Sequence, residues 1–216
     1  MTVEVKICGL TRAEDAEFAD AAGAAYLGVI FAGGPRERSP VEARATLAGR
    51  RAKRVGVFAS QSASEIADIA SLVGLHVVQL HDEPDPDRIR AVRAATGLEV
   101  WAVVRTADGV LPESVEDVAD VADALVIDAL APGALGGTGR VVPWGRLGET
   151  LDAMTAGHRL VLAGGLTPEN VAEAISYVSP MIVDVSSGVE SAPGVKDTAC
   201  IRAFIAAVRA TSDLSE

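Results

Sequence analysis

The chain lacks most of what a secreted, membrane-bound or metal-dependent protein would need. Its 216 residues hold two cysteines, Cys8 and Cys200. That is too few for a disulfide framework at this length, and a reducing compartment is the simpler expectation. No basic stretch followed by a long apolar run stands near Met1, so no signal peptide is expected. No apolar run is long enough to span a bilayer. Excess positive charge is also missing. The formal net charge of -11 argues against general nucleic-acid binding, yet a local site can still attract a small anion. His76, His158 and the tryptophans form no metal-ligand grouping, and G-x-G-x-x-G is absent from the first βα turn. A cytoplasmic protein is expected, with neither membrane nor nucleic acid as partner. No motif speaks to its oligomeric state.

What is present is a rhythm. Short β-branched runs at Val3–Cys8, Ala25–Phe31, Arg54–Phe58, Val77–Leu80, Glu99–Val103, Ala124–Ile127, Arg159–Leu162 and Met181–Val185 read as strands. Helical segments follow at Arg12–Ala22, Pro40–Ala48, Ser64–Val73, Pro86–Ala95, Pro112–Val118, Trp144–Met154, Thr167–Ser176 and Asp197–Arg209. Ser39-Pro40, Ser64 and Thr167-Pro168-Glu169-Asn170 supply caps or a first-turn proline. Several strands are continuous apolar runs, as when both faces are covered. About eight βα units with no segment left over predict an α/β protein, a single-domain (β/α)8 TIM barrel over 1–210. A polar tail, 211–216, is expected to fray. No Pro/Ser linker or low-complexity tract interrupts the chain.

Such a barrel places its chemistry at the C-terminal ends of strands and in the loops that follow. Cys8 ends the first strand there, either as a reactive thiol or as a small buried hydrophobe. Arg36, in the glycine-rich loop after the second strand, has the planar fork to clamp a carboxylate, with Arg38 as its competitor. His81 follows strand four. Asp128 follows strand six, where desolvation would raise its pKa and let it donate a proton near neutrality; the plainer reading is a turn cap. Asp184, flanked by Val183 and Val185, needs a partner, either a sugar hydroxyl or a barrel Lys or Arg. Gly164 and Gly165 after strand seven, with Ser186, Ser187 and Gly188 after strand eight, form two adjacent loops whose N–H groups can approach a phosphate; the plainer reading is that the glycines only make tight turns. The stretch Pro132–Gly139 reads as a mobile flap or a plain connection. Cys200 reads as packing.

These residues together resemble the phosphoribosylanthranilate isomerase family. The resemblance runs from Lys6 to Ile205. It is carried by Lys6-Ile7-Cys8-Gly9, Val55-Gly56-Val57-Phe58, Val78-Gln79-Leu80-His81, Gly136-Gly137-Thr138-Gly139 and Gly164-Gly165-Leu166-Thr167-Pro168-Glu169-Asn170-Val171. The most specific segment is Val183-Asp184-Val185-Ser186-Ser187-Gly188-Val189-Glu190 with Pro193-Gly194-Val195-Lys196-Asp197. Three places depart from the family pattern: Asp82 stands after His81 where glycine is usual, Val142-Pro143-Trp144 replaces Phe-Asp-Trp, and the loop after strand two is short and glycine-rich. The resemblance implies a barrel enzyme of tryptophan biosynthesis without cofactor or metal. It would catalyse the Amadori rearrangement of N-(5′-phosphoribosyl)anthranilate, a small anionic phosphosugar. By matching position it implies Asp128 as general acid, Cys8 as general base, Arg36 on the anthranilate carboxylate, and the glycine loops on the phosphate. Two alternatives are an indole-glycerol-phosphate synthase or epimerase relative, which would want a catalytic lysine or metal ligands, and a diverged barrel that binds a phosphorylated metabolite without turnover.

Overall fold

The computed structural model describes residues 2–106, 108–128, 144–154 and 157–213. Eight strands, β1 (Glu4–Ile7), β2 (Tyr26–Ile30), β3 (Lys53–Phe58), β4 (Val77–Leu80), β5 (Glu99–Arg105), β6 (Ala124–Asp128), β7 (Leu160–Ala163) and β8 (Ile182–Val185), pair in parallel and in sequence order. β1 and β8 pair from Glu4↔Ile182 to Ile7↔Val185, which closes the barrel. Helices α1 (Ala13–Ala22), α2 (Pro40–Leu47), α3 (Ala63–Val73), α4 (Pro86–Thr96), α5 (Val115–Ala119), α6 (Trp144–Met154), α7 (Val171–Val178) and α8 (Thr198–Asp213) follow the successive strands. No helix among the described residues is long and apolar enough to cross a membrane.

Strand periodicity divides the apolar residues into two cores. Successive side chains point to opposite faces. Tyr26, Val55, Val77, Trp101, Val103, Val126, Val161 and Ile182 therefore fill the barrel interior. Their neighbours Leu27, Val78, Val100, Leu125, Leu162 and Val183 face the helices. Both faces are dry, so the strands read as unbroken apolar runs. The same alternation matters for the site: counting on by two from the interior residues reaches His81, Asp128, Ala163, Asp184 and, from Lys6, Cys8.

Some boundaries differ from expectation for local reasons. The α3 cap is Ser62, not Ser64: its hydroxyl accepts from the Glu65 N–H while the Glu65 carboxylate accepts from the Ser62 N–H. Ser39 and Glu42 form the same box on α2. α7 starts at Val171 because Asn170 folds back, its Oδ1 accepting from the Thr167 N–H and its Nδ2 donating to the Gly165 carbonyl. α8 continues through Asp213. After β8 the chain makes a short 3₁₀ turn, Ser187–Val189, and a small antiparallel hairpin, β9 (Glu190–Ala192) and β10 (Val195–Lys196), which the sequence reading did not separate from the motif. The expected flap, Pro132–Gly139, the Val142-Pro143 departure and residues 214–216 lie outside the described residues.

Candidate active site

A cavity of about 330 Å³ opens at the C-terminal end of the barrel. Cys8, His81, Asp128, Gly164, Gly165, Asp184, Ser186, Ser187 and Gly188 all line it, so parts of the chain far apart in sequence converge on one space. Gln79, which the sequence reading passed over except as part of a motif, lines it too. None of the described lining residues is lysine or arginine. Between the two glycine loops the lining offers backbone N–H groups and hydroxyls rather than a surface cation.

Cys8 sits on the floor, buried, with its N–H donating to the Val185 carbonyl at 2.8 Å. Gly28 on the neighbouring strand makes room for it: a Cβ at Gly28 would stand 2.9 Å from the sulfur. Two residues back, the Lys6 ammonium is fully buried and donates to Asp184 Oδ2 at 2.6 Å. Burial alone would lower the Lys6 pKa, but Asp184 and Cys8 outweigh it and hold the group charged. Burial pushes the Cys8 thiol up; Lys6 opposes that shift, Asp184 adds to it, and Lys196 opposes it from a greater remove. Of the two partners expected for Asp184, the structure shows the barrel lysine. One oxygen pairs with a barrel lysine, and the other, Oδ1, is buried with no hydrogen-bond partner.

Across the cavity stand Asp128 and His81. Burial raises the Asp128 pKa; His81 and Arg105 pull it back, and Asp184 pushes it further up. The carboxyl thus keeps its proton to a higher pH than an exposed aspartate would. Burial lowers the His81 pKa, with Arg105 acting the same way and Asp128 opposing. His81 Nδ1 and Gln79 Oε1 are also buried without partners. Buried polar atoms are nearly always hydrogen-bonded in folded proteins. Gln79, His81 and Asp184 thus bring three unpartnered polar atoms to residues lining one cavity.

The phosphate-type loops are built by close backbone approach. Gly164 and Gly165 adopt φ of +91° and +67°, which other residues rarely reach. Gly188 presses against the other loop: a Cβ there would lie 1.9 Å from the Leu166 carbonyl oxygen. Only glycine lets the two loops touch.

Arg36 is not free. Its Nε donates to Glu190 Oε1 at 2.8 Å and its Nη2 to Glu190 Oε2 at 2.6 Å. Its stem passes over Gly9, the residue after Cys8, where an added Cβ would meet Arg36 Cδ at 2.7 Å, but Arg36 is not itself among the residues that line the cavity. Arg38 donates to the Glu37 carbonyl on the surface. Among the described residues, no three His, Cys, Asp or Glu side chains are grouped to hold a metal. Cys200 is a free, partly buried thiol packed against the core.

The arrangement sets a buried carboxyl and a buried thiol on one cavity, beside two glycine loops, where each could exchange a proton with a ligand. A family model described as N-(5′-phosphoribosyl)anthranilate (PRA) isomerase matches residues 5–207. A curated relative of that name from Paracoccus denitrificans is 43% identical over 225 residues, covering 99% of this chain and 100% of its own. One from Trichlorobacter lovleyi is 41% identical, covering 94% and 96%. The crystal structure of phosphoribosyl anthranilate isomerase from Thermotoga maritima superposes with a TM-score of 0.86 at 36% identity, covering 97% of this chain and 100% of that one. A further solved isomerase, in complex with reduced 1-(o-carboxyphenylamino)-1-deoxyribulose 5-phosphate, matches at a TM-score of 0.84 and 34% identity over 97% and 100% of the two chains.

Proposed function

The chain belongs to the N-(5′-phosphoribosyl)anthranilate isomerase family, and from that premise we propose how its own residues divide the reaction. The protein is an isomerase of tryptophan biosynthesis. Asp128 is the general acid. It delivers its proton to the furanose ring oxygen as the C1′–O bond breaks and the nitrogen lone pair forms the iminium. Cys8 is the general base. Its thiolate takes the proton from C2′, and the C–H electrons become the C1′=C2′ bond while the nitrogen is neutralised. The resulting enolamine tautomerises to the 1-(2-carboxyphenylamino)-1-deoxyribulose 5-phosphate ketone.

Electrostatics give this order a reason. The thiol is held protonated chiefly by its burial. The reacting form is the one in which the pair's proton sits on Asp128 and Cys8 is already thiolate; the iminium, a cation formed when Asp128 gives up that proton, is stabilised by the thiolate beside it. The iminium appears only after Asp128 has acted, and it also makes C2′ acidic. Lys6 beneath the sulfur supports the thiolate throughout. The loops at Gly164-Gly165 and Ser186-Ser187-Gly188 hold the phosphate. Asp184 Oδ1 and His81 face the sugar, and Arg36 takes the aryl carboxylate. A cytoplasmic location fits the two free thiols.

The observation that carries the reading is the convergence of Cys8 and Asp128 on one cavity beside two glycine loops. The test is the fluorescence of the anthranilate adduct on addition of the purified protein. Consumption with formation of the ketose is expected. Binding of the adduct without turnover would overturn the reading and leave a phosphometabolite-binding barrel.

A further inference from the structure

The hairpin after β8 does more than cover the barrel end. Its first residue, Glu190, has a side chain only 4% exposed and takes both Arg36 contacts. Its last, Lys196, is fully buried and donates to Glu190 Oε1 at 2.8 Å and to the Ser186 carbonyl at 3.0 Å. The hairpin is itself pinned to the loop after β1 and to the first turn of α1. Thr11 Oγ1 donates to the Gly194 carbonyl at 2.5 Å, and the Lys196 N–H donates to Asp15 Oδ2 at 3.1 Å. One chain of polar contacts therefore links the Arg36 loop to the phosphate loop at Ser186.

The pairing geometry is specific. A guanidinium has two edges that can each meet a carboxylate as a fork. Glu190 occupies the Nε–Nη2 edge, and Nη1 makes no hydrogen bond among the described residues. The Nη1–Nη2 edge is left for a second carboxylate. A lone Arg36 would lose side-chain freedom on binding a ligand; one already gripped has lost it in folding. Lys196 gives Glu190 a second cation, so the clamp keeps its own counter-charge when Arg36 also serves a ligand.

We infer that Glu190, anchored by Lys196, is a positioning residue that holds Arg36 by one edge so that its other edge reads the carboxylate of the aryl amine. This rests on the reading of Arg36 given above and deepens it. Glu190 touches no reacting atom, and its effect falls on recognition of the carboxylate alone.

The test compares two substrates, N-(5′-phosphoribosyl)anthranilate and its carboxylate-free counterpart N-(5′-phosphoribosyl)aniline, each made from ribose 5-phosphate and the amine. In Glu190→Gln, the kcat/KM ratio between them is expected to fall about tenfold, through KM of the anthranilate substrate, with Glu190→Asp recovering most of it. Equal losses on both substrates mean a merely structural role and overturn the inference, as does an unchanged ratio or a tighter anthranilate KM. Arg36→Met separates the two layers. If it lowers the ratio while Glu190→Gln does not, only the positioning role fails. If it leaves the ratio unchanged, the reading of Arg36 fails. Should Glu190→Gln not fold, as judged by circular dichroism, Lys196→Gln applies the same ratio test from the anchor side, with a smaller fall expected and an unchanged ratio overturning the inference.

Discussion

The two ends of this barrel are both polar, and they differ in whether their polar atoms are satisfied. At the N-terminal end, Glu4, Tyr26, Lys53, Glu99, Trp101 and Arg159 form a closed network. Arg159 bridges Glu99 at 3.1 Å and Glu4 at 3.4 Å and donates to the Tyr26 hydroxyl. Lys53 and the Trp101 indole reach Glu99 at 3.0 and 3.3 Å. The Tyr26 and Trp101 rings meet edge to face, with the Arg159 guanidinium 5.7 and 5.6 Å from their centres. None of these side chains appears among the described buried orphans, whereas Gln79 Oε1, His81 Nδ1 and Asp184 Oδ1 at the other end all do. Facing the barrel axis, unmet hydrogen-bonding capacity gathers around the cavity, while the Arg159 network at the other end is fully paired. That asymmetry separates a working surface from a plug.

The comparison breaks most visibly at the acid–base pair. Cys8→Ala and Asp128→Asn are each expected to lower kcat roughly 10²–10⁴-fold with little change in KM, measured by anthranilate-adduct fluorescence. Stability should move the other way in Asp128→Asn. The native carboxyl holds its proton above the unfolded value because it is buried. Its contribution is therefore present at low pH and lost as pH rises through the raised value. The variant's thermal midpoint should match the parent in acid and exceed it at neutral pH. A midpoint below the parent at neutral pH would mean the ionised carboxylate is well solvated or paired.

Gly188→Ala comes next. The new methyl group cannot share space with the Leu166 carbonyl, so the two loops must part. A loss of about 1–3 kcal/mol, seen in chemical unfolding, should accompany weaker inhibition by inorganic phosphate. Unchanged phosphate inhibition would remove those loops from the binding site.

A subtler effect concerns pH. On the proposed mechanism the active form has Asp128 protonated and Cys8 ionised, although their ordinary values, about 3.9 and 8.5, run in the opposite order. Between the limbs the pair holds one proton, mostly on sulfur, and the active arrangement is a constant minor share of that form. Turnover should be flat between an acid limb set by Asp128 and an alkaline limb set by Cys8. Asp184→Asn removes a charge that pushes the thiol up, so the alkaline limb should move to lower pH. A limb that stays put would detach it from Cys8. The smallest effect belongs to the plug: Glu99→Gln should cost at most about 1 kcal/mol of stability and leave kcat within about twofold. A large loss of turnover there would erase the distinction between the two ends.

The barrel was legible because eight apolar runs, each followed by a helical stretch, allow few other arrangements. Cys8, Asp128 and the two glycine loops were legible because strand ends in such a fold have a known destination. What escaped is contact between residues remote in sequence. Lys6 and Asp184 are 178 positions apart, and Arg36 and Glu190 are 154 apart. Arg36 was read as a carboxylate clamp, with no sign that the protein supplies one carboxylate itself. Lys6 and Gln79 carried a usable signal: each lies two positions from a recognised site residue, on the same strand face. The β9–β10 hairpin escaped because strands of three and two residues have no periodicity to read.

The central claim is that the Cys8 sulfur removes the C2′ proton. Substrate carrying deuterium at C2′, turned over by Cys8→Ser, tests it most directly, because a weaker base makes that step limiting. A severalfold slower reaction of the deuterated substrate, on top of a greatly reduced rate, is the expected result. A near-parental rate with no isotope effect would show that another group takes the proton.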